Sequence, residues 1–78
     1  MSERKETSTR LRDPVEGDVY RHPSAGEEVI IDYVTDAEVY LRVTDGAGGL
    51  IRACRVPRTS WKAIREVHGL QLTNREEP

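Results

Sequence analysis

The chain contains no phenylalanine, one cysteine and one tryptophan, and only two of its 12 basic residues are lysines, Lys5 and Lys62. With Cys54 alone, no internal disulfide and no cysteine-based metal cluster can form, which fits a reducing cytoplasm. No His-x-x-x-His or Cys-x-x-Cys spacing occurs, so His22 and His68 lack the further ligands a metal site needs. No stretch approaches the ~18 apolar residues required to span a bilayer. The N-terminal MSERKETSTRLRDP is charged and lacks the apolar core of a secretory signal. A cytoplasmic protein with no membrane partner is expected. The formal net charge of −2 provides no global basic excess to coat nucleic acid, although a local patch is allowed.

Leu, Ile and Val number 17 of 78 residues, just above the level at which disorder becomes the default. Such a chain has room for one domain with a modest core of β-branched residues. Residues 1–14 read as a disordered N-terminal tail, 15–72 as the domain and 73–78 as a flexible C-terminal tail.

The run Glu27 to Val56, EEVIIDYVTDAEVYLRVTDGAGGLIRACRV, holds three β-type segments separated by two turn signals. A first strand is expected at Val19 to His22, ended by Pro23 and the Ser24-Ala25-Gly26 loop. Strands at Glu28 to Val34, Val39 to Thr44 and Leu50 to Val56 follow, each with period-two alternation. A three-residue loop at Asp36 to Glu38 pairs Tyr33 with Leu41 and Ile31 with Val43. The glycine loop Asp45 to Gly49 then pairs Val43 with Ile51 and Leu41 with Ala53. One buried face results: Val29, Ile31, Tyr33, Val39, Leu41, Val43, Ile51 and Ala53. A bulge near Cys54 is needed to turn Arg55 outward and Val56 inward. After Pro57, Thr59 or Ser60 could cap a short helix carrying Trp61, Ile64 and Val67 or His68, with Gly69 just past its end. A single turn followed by a strand from Ile64 to Val67 fits the span equally well. Leu70 and Leu72 suit a last edge strand or an extended tail.

The order Gly17-Asp18-Val19-Tyr20, long strand, tight turn, strand, glycine loop, strand and then Trp61 resembles small Src-homology-3-like or Tudor-like barrels. These include short proteins encoded by phages, plasmids and microbial genomes. The resemblance covers roughly residues 15 to 67 and rests on strand lengths. It implies a mainly β fold: a small SH3-like antiparallel β-barrel of about five strands with one short helix or helical turn. Many barrels of this shape bind nucleic acids, peptides or modified side chains, but fold does not transfer function.

The expected registers align Asp32, Arg42 and Arg52 in one outward row. Arg55 and Arg58 fall on the same side, so four arginines converge near Tyr40. Guanidinium groups around an aromatic face suit a phosphate backbone and an unstacked base. A solvated charge ladder that keeps an open sheet soluble accounts for the same residues. An aromatic cage from Tyr20, Tyr33, Tyr40 and Trp61 is disfavoured, because Tyr33 falls on the core face and Trp61 is the natural core plug. Cys54, flanked by Arg52 and Arg55, has no base or oxyanion site beside it, so no catalytic residue and no cofactor is assigned. The reading is a small non-enzymatic binding module. It is either an accessory nucleic-acid-binding domain using Arg42, Arg52, Arg55, Arg58 and Tyr40, or a protein-interaction adaptor or homodimer. The adaptor would use an exposed strand edge or the Trp61 segment.

Overall fold

Alternating apolar residues and two glycine-containing turns produce a mainly β fold. In the computed structural model, which describes residues 14–74, β1 (Val19–Arg21), β2 (Glu28–Val34), β3 (Glu38–Thr44) and β4 (Leu50–Pro57) form a meander. A 3-10 turn at Arg58–Ser60 runs straight into helix α1 (Trp61–His68), and β5 (Gln71–Leu72) completes one antiparallel sheet. The strand order is β4-β3-β2-β1-β5, so the sheet stays open between β4 and β5 among the described residues. The expected N-terminal tail, apart from Pro14, and residues 75–78 of the C-terminal one lie outside the described range.

The two alternatives for residues 59–68 resolve as a helix, followed by a strand further along. Ser60 already has helical backbone angles and makes no side-chain cap, since the 3-10 turn supplies the entry. The C-terminal prediction holds: Gly69 adopts φ 64° and its N–H reaches the carbonyls of Arg65 and Glu66. Leu70, just beyond, donates its N–H to Arg65 at 3.0 Å and is buried. Beyond β5, Thr73 and Asn74 remain tied to the sheet. Thr73 N–H donates to the Val19 carbonyl, and the Asn74 side chain bonds Val19 N–H and the Gly17 carbonyl.

The core comprises Tyr20, Val29, Ile31, Val39, Leu41, Val43, Trp61 and Leu70. Tyr20 and Trp61 meet edge to face at 5.1 Å between centroids, filling the volume that phenylalanine would take elsewhere. The Tyr20 hydroxyl donates to the buried Asp18 carboxylate, which also accepts the Val15 N–H. The β3–β4 loop rests on the β1–β2 loop. A Cβ at Gly46, whose φ is +84°, would lie 2.5 Å from the Gly26 carbonyl oxygen.

Two bulges and a tighter β2–β3 turn correct the expected registers: Thr35 N–H donates to the Glu38 carbonyl, so the loop is Asp36-Ala37 rather than Asp36 to Glu38. In β2 the register shifts between Ile31 and Tyr33, so Ile31 pairs with Leu41 while Tyr33 pairs with Tyr40. The extra residue, Asp32, flips the strand, and Tyr33 leaves the expected core face to stand 46% exposed. In β4 the bulge lies at Ile51 rather than near Cys54, since Val43 pairs with Arg52 and Thr44 with Leu50. Directly opposed residues share a face, so Arg52, Cys54 and Val56 lie on the core side, and Ile51 and Ala53 do not. The cause is physical: β4 is an edge whose inner face is packed only where Val56 meets the core. Little burial energy enforces one register over the other there, and the glycine loop decides it.

Candidate functional site

The expected cluster of four arginines loses Arg52 to the opposite face of the sheet. On the convex face, Tyr40 of β3 lies opposite Arg55 of β4, with Arg42 one step along β3. Tyr33 stacks on Tyr40, with centroids 4.5 Å apart and planes 13° from parallel. A shallow depression of about 290 Å³ lies between Asp32, Tyr40, Ala53 and Arg55. Both arginines of this face are paired. Arg42 Nε donates to Asp32 Oδ1 at 2.8 Å, and Arg55 Nε lies 3.5 Å from Glu38 Oε2. The Tyr40 hydroxyl donates to the other Glu38 oxygen at 3.0 Å. Arg55 pulls the Tyr40 pKa down, but Glu38's hydrogen bond and charge, partial burial and Tyr33 outweigh it, leaving the hydroxyl above its ordinary 10.0. In turn the Tyr40 hydroxyl, followed by Glu38, holds Arg55 more firmly protonated.

Arg52 sits on the concave face opposite Val43, and Arg58 lies in the 3-10 turn, its N–H donating to Ala37. Arg52 therefore lies on the other face from Tyr40, and the register error in β4 accounts for its misplacement. The concave side holds a cavity of about 240 Å³ between α1 and β3–β4. Leu41, Val43, Val56, Trp61 and Ile64 supply its apolar wall, while Arg52, Glu27, His22 and His68 supply the polar part. His22 and His68 face each other at 5.6 Å, and His22 Nδ1 accepts the Ala25 N–H. No group of three or more His, Cys, Asp or Glu side chains is arranged to hold a metal ion among the described residues.

Sequence reasoning missed the tyrosine stack, the His22–His68 contact and the buried Asp18. A signal for the first was present in Val29-Ile30-Ile31-Asp32-Tyr33, where an acid interrupts an apolar run at the point where the bulge forms. The two histidines lie 46 positions apart, and nothing local links them.

The edge of the sheet is a third feature. β4 has no strand neighbour on its outer side among the described residues, and all of it except half-buried Val56 is exposed. No helix among the described residues is long and apolar enough to cross a membrane. Comparison with protein-family models, curated proteins and solved structures finds no match.

Proposed function

We propose that the chain is a small non-enzymatic binding module, a partly open Src-homology-3-like barrel of the cytoplasm that engages a protein strand along β4. The observation that carries this reading is the eight-residue β4 edge, wet along almost its whole length and beside an apolar cavity. Unpaired strand edges template further pairing, with main-chain hydrogen bonds giving affinity and adjoining pockets giving specificity. The strand number and order, five antiparallel strands with β5 beside β1, support the barrel-like reading. The test is selection of displayed extended peptides against the native chain and Ala53→Pro, which removes an edge N–H. Peptides retained only by the native chain are expected; equal retention by both would sink the reading.

The nucleic-acid reading keeps one observation in its favour, the Tyr33–Tyr40 stack flanked by Arg42 and Arg55. A base could stack on the tyrosines while a phosphate exchanges Arg42 or Arg55 out of its carboxylate pair. Weak single-strand binding at low salt, lost steeply as salt rises and abolished in Tyr40→Ala, is expected on this reading. A flat titration at low salt removes it.

A further inference from the structure

The alternation of backbone hydrogen bonds fixes which groups β4 offers at its edge. The Arg58 N–H donates to the Ala37 carbonyl at 2.8 Å, and Glu38 is the next residue to pair, with Pro57. In an antiparallel ladder, hydrogen-bonded and non-hydrogen-bonded pairs alternate. Val56, Cys54 and Arg52 therefore direct their backbone groups at β3, while Arg55 and Ala53 turn theirs to the open edge. Glu38 confirms the phase, because its carbonyl accepts the Thr35 N–H on the β2 side. The usable window is short. Pro57 has no N–H to offer at one end, and the Ile51 bulge interrupts the strand at the other.

We propose, resting on the reading of β4 as a binding edge, that its occupant is the β4 edge of a second copy of this chain. The two strands would run antiparallel about a twofold axis at Cys54. A two-fold normal to the sheet keeps each side chain on its own face, so opposed positions must have the same parity. Centred on Cys54, Ala53 of each copy exchanges both backbone hydrogen bonds with Arg55 of the other, and all the open groups of the window are satisfied. Centred on Ala53, the ladder would need Ile51, which is inside the bulge. Centred on Arg55, two guanidiniums would face each other and Pro57 would lack a donor opposite Ala53. The Cys54 register is the one that avoids both faults. It sets Arg55 against small Ala53 on the convex face and Arg52 against Val56 on the concave face, so no two arginines are opposed.

This register places the two Cys54 residues as a non-hydrogen-bonded pair, with Cα atoms about 4.5 Å apart, within disulfide reach. The Cys54 thiol is free and exposed. Oxidised glutathione is the probe: two thiols and one glutathione disulfide exchange to one Cys54–Cys54 bond and two reduced glutathiones. Sedimentation of the full chain over rising concentration should show a reversible dimer. Oxidised glutathione should convert that dimer to a covalent one far faster than it does Ala53→Cys/Cys54→Ala, whose thiols lie opposite Arg55.

Ala53→Pro should abolish the dimer. Should that variant not fold, Ala53→Glu should tighten the dimer roughly fivefold through a carboxylate facing Arg55 of the second copy, and Ala53→Arg should weaken it similarly. A chain that stays monomeric overturns the inference, as does a dimer that resists Cys54 cross-linking or ignores the charge at residue 53. A monomer that still selects peptides dependent on Ala53 would leave the binding-edge reading standing while removing the second copy as its occupant.

Discussion

Thr44 and Trp61 each bury a polar atom, Oγ1 and Nε1, that has no hydrogen-bond partner among the described residues. Such a group carries its desolvation cost with nothing to offset it. Replacing the Thr44 hydroxyl by a methyl keeps the shape and removes that cost, so Thr44→Val should raise stability by about 1 kcal/mol, read from the urea midpoint. At a surface position the balance is reversed. Asp45 Oδ1 accepts the Ala47 and Gly49 N–H groups at 2.8 and 2.9 Å, and these bonds, Ala47 first, hold its pKa below the ordinary 3.8 against a slight opposing effect of burial. A carboxyl depressed by folding contributes stability that is present above 3.8 and lost as pH falls through its lowered folded value. Asp45→Asn should remove that dependence, so the stability difference between the two chains should narrow on acidification below pH 3.8.

Among the elements, β3 was legible in the sequence because it alternates apolar and polar residues over one buried face, and β2 was legible in extent. The statement that Leu41 lies inside and Arg42 in water holds: Leu41 is 5% exposed and the Arg42 side chain 46%. β4 was legible in extent but not in face. Its residues gain little from either orientation, so pattern carries no register information there, and one bulge at Ile51 moved Arg52 across the sheet. Tyr33 was misread for a related reason, since alternation assumes an unbroken strand and Asp32 breaks it. Hydrogen exchange tests the resulting ladder directly. In dilute solution the amides of Ala53 and Arg55 should exchange fast, while those of Cys54 and Val56, bonded to β3, are protected. Protection of all four in the monomer would contradict the alternation.

At the scale of the molecule, a single indole joins the sheet to the helix. Trp61 is 1% exposed, packs on Tyr20, and forms part of the wall that Val56 and Ile64 share. Trp61→Ala should cost about 3–5 kcal/mol. Small domains have total stabilities near the low end of about 5–15 kcal/mol. The variant should therefore be largely unfolded at room temperature, with loss of near-ultraviolet ellipticity and of the cooperative thermal transition. A cooperative transition within a few degrees of the native one would show that α1 docks without its indole.

Composition and alternation alone determined that this chain makes a mainly β fold with a thin aliphatic core and a tryptophan plug, while the choice of a helix over a turn and strand at Trp61–His68 was left to the tertiary structure. Those properties are local, or depend on faces buried strongly enough to leave a period-two record. Tertiary structure alone decided which arginines share a face, that Tyr33 stacks on Tyr40 in water, and which backbone groups stand open on β4. Each of these turns on a one-residue shift at a bulge, and a bulge is chosen by the fit between neighbouring strands rather than by the residues of either one.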